Sequence, residues 1–185
     1  TQNDWTFAIS GTGTSGMEAA LVNLIEPGDN VLVAVHGYFG ERLAEIAGRV
    51  GANVDRITRP LGEIFKVEEI EAELARKSYR LFAIVHAETS TGAEQLYINE
   101  IAEAVHRHGA LLLLDTVTSL GGIPVKIDEW GVDAAYSASQ KNLGVPSGLA
   151  PITIGPMAQE KIERRKSKVA SFYLDLKAYA SYWGP

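Results

Sequence analysis

The runs VLVAV (31–35), LFAIVH (81–86) and LLLLD (111–115) are apolar without a break. A strand with one wet face alternates apolar and polar residues. An unbroken run needs cover on both faces, as in a parallel sheet between helix layers. Between the runs, apolar residues recur at helical spacing: Met17, Ala20, Leu21 and Leu24; Leu43, Ile46, Ala47 and Val50; Val67, Ile70 and Leu74; Ile98, Ile101, Ala102 and Val105. Ser15 and Glu18 have capping-box spacing and predict a helix from Ser15 to Ile25. Gly51 and Gly109 close the second and fourth helices. WTFAI (5–9), NVDRI (53–57), DAAYSA (133–138) and LAPITI (149–154) read as further strands, the second of them weak. Strand and helix alternate, so the expected fold is α/β, a doubly wound, mostly parallel sheet with helices on both faces.

At 185 residues this is one domain. A net charge of −6 argues against a nucleic-acid partner, which wants a basic face. The basic run KIERRKSK (161–168) reads as a solvated helix face after a helix start at Pro156. There are no cysteines, which excludes disulfides and thiolate chemistry. No apolar run is long enough to span a membrane. The four histidines lack metal-ligand spacing, so no metal site is expected. The abrupt start TQNDW and end YWGP suggest a piece of a longer chain.

In doubly wound sheets ligands gather beyond the carboxyl ends of the strands. After the first strand stands SGTGTSGMEAA, where Gly11, Gly13 and Gly16 match G-x-G-x-x-G. Such a turn brings backbone N–H groups and a helix N-terminus to a phosphate, or simply meets the dihedral needs of a tight turn. A dinucleotide site also wants an acid after the second strand, and His36 stands there instead. A single-phosphate site is untouched by that lack. Phe39, between glycines in the next strand-end loop, is either a stacking platform or a packed aromatic. VHAETSTG crowds Glu88, Thr89, Ser90 and Thr91 beyond another strand, more polar groups than a turn needs.

Asp115 ends the most apolar strand. No G-x-x-x-x-G-K-[ST] exists to make it the magnesium-holding acid of a P-loop NTPase. A carboxylate among apolar walls needs a positive partner, either a protonated pyridine nitrogen or Lys141. Lys141 itself lies between Gln140 and Asn142 in YSASQKNLGVPSG, among small neighbours and with no adjacent acid. A nucleophilic lysine must be neutral, so this loop is expected to be poorly solvated.

Taken together, the Gly turn, the aromatic at Phe39, ETSTG, the Asp after LLLL, and SQK resemble the large domain of the alanine–glyoxylate and serine–pyruvate aminotransferases. These are class V pyridoxal-phosphate enzymes of fold type I. The likeness includes EAALVNLIEPGD and FYLDLK…YWG and runs through nearly the whole chain. It implies that Lys141 forms a Schiff base with pyridoxal 5'-phosphate and that Asp115 pairs with the pyridinium nitrogen. It places Thr12, Gly13, Thr14 and Gln140 at the phosphate, and Thr89 at the ring hydroxyl. Phe39 stacks on one ring face, where the family commonly has tryptophan, and Val117 packs on the other. Thr14 replaces a histidine found in some relatives.

The implied reaction moves an amino group from alanine or serine to glyoxylate or pyruvate. Other class V chemistries, a lyase or kynurenine-type turnover, are the near alternatives, and a nicotinamide oxidoreductase built on the Gly turn the distant one. The resemblance further implies a homodimer with the active site at its interface and a C-terminal small domain beyond these residues carrying the substrate-carboxylate arginine. The compartment it implies is the cytoplasm, or the peroxisome in a eukaryote.

Overall fold

The computed structural model describes residues 1–183; Gly184 and Pro185, the end of YWGP, lie outside the described residues. In chain order the elements are β1 (Trp5–Gly11), α1 (Gly13–Leu24), β2 (Asn30–Val35), α2 (Tyr38–Arg49), β3 (Asn53–Thr58), α3 (Val67–Leu74) and β4 (Leu81–Val85). A two-stranded ribbon follows, β5 (Ala87–Glu88) with β6 (Ala93–Glu94), then α4 (Ile98–Arg107) and β7 (Leu111–Asp115). The remainder is β8 (Ala134–Tyr136), β9 (Gly148–Ile154), α5 (Pro156–Glu163) and α6 (Leu176–Trp183). The last helix has no counterpart in the sequence reading. Among the described residues, no helix is long and apolar enough to cross a membrane.

Seven strands form one sheet in the order β1-β9-β8-β7-β4-β2-β3. The neighbours from β3 to β8 pair in parallel, and β9 runs against both β8 and β1. All strands but β9 therefore end at the same edge. The unbroken apolar strands are covered on both faces as expected: every residue of β4, β7 and β8 is buried. Their side chains alternate between two cores. Val31, Val33, Ala83, Leu113 and Tyr136 pack on the side of α1, α2 and α5. Leu32, Ala34, Phe82, Leu112 and Leu114 pack against residues of α3 and α4. This is the doubly wound α/β arrangement that the runs demand.

Two local expectations fail. Helix α1 starts at Gly13 with Thr12 as its N-cap, so Ser15 lies inside the first turn. Its hydroxyl donates back to the Thr12 carbonyl at 2.6 Å, and no capping box forms with Glu18. The basic run 161–168 is not a solvated helix face, because α5 ends at Glu163. Lys161 is buried against Asp29 at 3.3 Å. Arg165 donates to the carbonyls of Asn23 and Ile25, satisfying oxygens at the end of α1 that have no intrahelical partner.

Candidate active site

One cleft of about 220 Å³ opens at the shared carboxyl edge, lined by Thr12, Gly13, Thr14, Met17, Phe39, Arg42, Asp115, Val117, Gln140 and Lys141. Every site residue expected from the sequence is on this wall except Thr89. Arg42 and Met17 are additions.

The Gly motif builds one end of the cleft. Gly11 has φ +141°, and a Cβ there would meet Ser15 Oγ at 2.3 Å. A Cβ on Gly13 would lie 3.0 Å from Val117 Cγ2 and 3.1 Å from Ala138 Cβ; on Gly16 it would meet Ala150 and Tyr136 at 3.1 and 3.2 Å. Gly16 thus lets α1 sit against β8 and β9, and Gly13 lets its start approach the segments that follow β7 and β8. At this N-terminus the first amides of α1, those of Gly13 and Thr14, have no intrahelical carbonyl to bond. With the Thr12 and Thr14 hydroxyls they form a donor-rich corner suited to a phosphate. No acid follows β2: His36 is buried there, its Nε2 at 3.2 Å from the Val85 carbonyl.

Phe39 lies in the first turn of α2, not in a loop. It packs against the core with part of its ring on the cleft. The Arg42 guanidinium stands 4.9 Å from the Phe39 ring centroid and 5.0 Å from that of Tyr38. Its Nη1 donates to Thr14 Oγ1 at 3.0 Å, tying α2 to this donor-rich corner. Sequence reasoning missed Arg42 because on an amphipathic helix beside Glu41 it reads as a solvated charge.

The polar crowd after β4 has a structural explanation. Glu88 is buried and accepts from the amides of Phe39 and Gly40 at 3.1 and 3.2 Å. Its other oxygen takes the amide and hydroxyl of Ser90. A carboxylate thus caps α2 from another strand, at the positive end of that helix. A Cβ on Gly37 would lie 2.3 Å from Glu88 Cγ, so only glycine admits this contact. Thr89 is exposed and outside the cleft wall; its hydroxyl bonds that of Thr118, 3.3 Å away.

Asp115 is 3% exposed. Its Oδ1 accepts from the Val117 amide at 2.8 Å and its Oδ2 from the Tyr136 hydroxyl at 2.6 Å. Burial pushes the carboxyl up to about 6, against the pull of those two bonds. The same burial, with Asp115 beside it, holds the Tyr136 phenol well above its ordinary range.

Lys141 shares this wall, and among the described residues no carboxylate pairs with it. Its loop is tied at both ends. Ser139 Oγ donates to the Pro146 carbonyl at 2.8 Å, and Asn142 donates to the Thr118 carbonyl at 2.6 Å. Yet residues 140–149 are exposed, contrary to the poorly solvated loop expected. Among the described residues, none covers this loop.

The aminotransferase class-V family model matches residues 2–181. Alanine–glyoxylate aminotransferase of Mus musculus is 43% identical over 100% of this chain and 44% of its own length. (S)-ureidoglycine–glyoxylate transaminase of Bacillus subtilis is 39% identical over 99% of this chain and 48% of its own length. The crystal structure of an alanine–glyoxylate aminotransferase from Nostoc superposes with a TM-score of 0.97 at 52% identity, covering 100% of this chain and 48% of that one. The chain spans about half the length of these relatives. The chain belongs to the class-V aminotransferase family.

Proposed function

We propose that this chain is the pyridoxal-phosphate-binding part of an aminotransferase that uses glyoxylate or pyruvate as amino acceptor. The observation that carries the reading is the convergence of Thr12, Thr14, Phe39, Asp115, Gln140 and Lys141, from four strand ends, on one cleft. A buried acid and an amine with no carboxylate partner among the described residues, lining the same cleft, suit a pyridine ring carrying an aldehyde. The names of two relatives share glyoxylate and differ in donor. Glyoxylate is therefore the better supported acceptor. Alanine or serine is the proposed donor, with ureidoglycine the second reading.

Bound at this cleft, pyridoxal phosphate would supply an electrophilic aldehyde for the Lys141 amine and a ring that withdraws electrons when its nitrogen is protonated. The amides of Gly13 and Thr14 with the Thr12, Thr14 and Gln140 side chains hold the phosphate. Phe39 and Val117 bound the ring faces, and Asp115 keeps a proton on the ring nitrogen. Thr89, whose hydroxyl bonds that of Thr118 here, would hold the ring hydroxyl. The free Lys141 amine takes and returns the proton at the substrate α-carbon.

The exposed lysine loop calls for cover. We place that cover in a second copy of the chain, and the substrate-carboxylate clamp in the further length that the relatives have. The test is amino transfer by the full-length protein, with alanine, serine and ureidoglycine each offered with glyoxylate. Glycine formation with any of them supports the reading; no glycine from all three, together with no alanine from serine offered with pyruvate, in protein that binds pyridoxal phosphate, refutes it.

A further inference from the structure

We infer that Tyr136 is a positioning residue for the cofactor site, aiming Asp115 at the ring nitrogen and holding it as an anion. This rests on the pyridoxal-phosphate reading above. The parallel register of β7 and β8 sets Asp115 directly opposite Tyr136, so both side chains leave the sheet on the same face. The phenol is 1% exposed and lies at 2.6 Å from Asp115 Oδ2. The third glycine of the motif makes this possible, since a Cβ on Gly16 would press on Tyr136 Cβ and Cδ2 at 3.2 and 3.4 Å.

The geometry leaves Asp115 usable. An ionised carboxylate has about four acceptor sites, and the Val117 amide and Tyr136 hydroxyl take one on each oxygen. Both bonds fix the carboxyl plane, while the remaining lone pairs stay available to the cleft that Asp115 lines. The bond also offsets burial. A donor that meets only the charged form stabilises the anion, and here it acts where desolvation acts against it. The other charged groups around Asp115 are Glu88, at the end of β5, which opposes ionisation, and Arg42 of α2, which favours it. Lys141 lines the same cleft. The Tyr136 hydroxyl and the Val117 amide thus stabilise the anion without adding a competing cation near the ring nitrogen, and of these two donors only the hydroxyl belongs to a side chain.

The experiment uses the full-length protein and Tyr136→Phe, which keeps the ring against Gly16 and removes only the hydroxyl. In the cofactor-free protein with ¹³C-labelled aspartate carboxyls, the Asp115 signal (identified by its loss in Asp115→Asn) should titrate about one pH unit higher in Tyr136→Phe. Site-specific replacement of Tyr136 by a fluorinated tyrosine, a more acidic donor, should move it the other way. At pH 7, Tyr136→Phe should weaken pyridoxal phosphate binding roughly tenfold. In the Asp115→Asn background the same change should cost less than about twofold, because a residue acting through Asp115 has nothing left to act on. Equal losses in both backgrounds, or an unmoved Asp115 titration, would overturn the role and leave the site reading standing. Failure of the parent protein to bind pyridoxal phosphate would overturn both.

Discussion

Arg42 Nη1 donates to Thr14 Oγ1 at 3.0 Å while the guanidinium plane lies by the Phe39 ring. One side chain thus links the donor-rich corner at the end of β1 to the aromatic wall at the start of α2. A lysine in its place keeps the charge and loses the fork and the stacking. Arg42→Lys should weaken pyridoxal phosphate binding by about 1 kcal/mol, or roughly fivefold, and Arg42→Ala by more. Fluorescence titration of the cofactor-free protein checks this. Unchanged affinity in Arg42→Ala would mean that Thr14 needs no support.

Glu88 should matter to the fold more than to the chemistry. Glu88→Gln keeps the volume but exchanges a carboxylate that accepts from two amides at the start of α2, and from Ser90, for an amide with one acceptor oxygen. Urea denaturation should show a loss of about 1–3 kcal/mol. A variant as stable as the parent would show that α2 holds its start without this cap.

How much of this was legible beforehand follows from what each residue needs around it. Asp115 and Lys141 stood out in the sequence because their settings are wrong for their type: an acid ending an apolar strand, a lone cation among small neighbours. Arg42 and Glu88 have ordinary settings in sequence, and their roles come from elements far along the chain. Tyr136 looked like strand filler until the β7–β8 register set it opposite Asp115. The sheet was readable because burial on both faces leaves a one-dimensional mark. The misread run at 161–168 failed because a buried ion pair with Asp29 leaves none.

Asp115 should give stability a definite pH signature. Its carboxyl is raised from 3.8 to about 6 in the fold, so the folded state holds the proton more tightly than the unfolded chain. Its contribution is fully present below pH 4 and is lost as pH rises to about 6. His86 opposes it: burial lowers that imidazole from 6.5 to about 4, so its contribution is lost as pH falls through the same range. The two slopes nearly cancel in the parent. Asp115→Asn separates them. The variant should match the parent near pH 4 and exceed it by about 3 kcal/mol at pH 7 without cofactor. Urea curves for the two proteins that keep a constant offset across that range would contradict the raised carboxyl.

The Gly turn should accept one phosphate and not a dinucleotide, since His36 occupies the place of a ribose-binding acid and is tied to Val85. Pyridoxal phosphate at one hundred times its Kd should stabilise the protein by about 2.7 kcal/mol, and NAD should leave the thermal midpoint unchanged. Stabilisation by NAD alone would reverse the assignment.

The most direct test is chemical. Full-length protein loaded with pyridoxal phosphate is reduced with borohydride, digested and mapped by mass spectrometry. A single pyridoxyl adduct is expected on Lys141, absent from Lys141→Ala, which should still fold because this side chain is exposed and pairs with no carboxylate among the described residues. A reduced adduct on another lysine, or none on a protein that binds the cofactor, would contradict it.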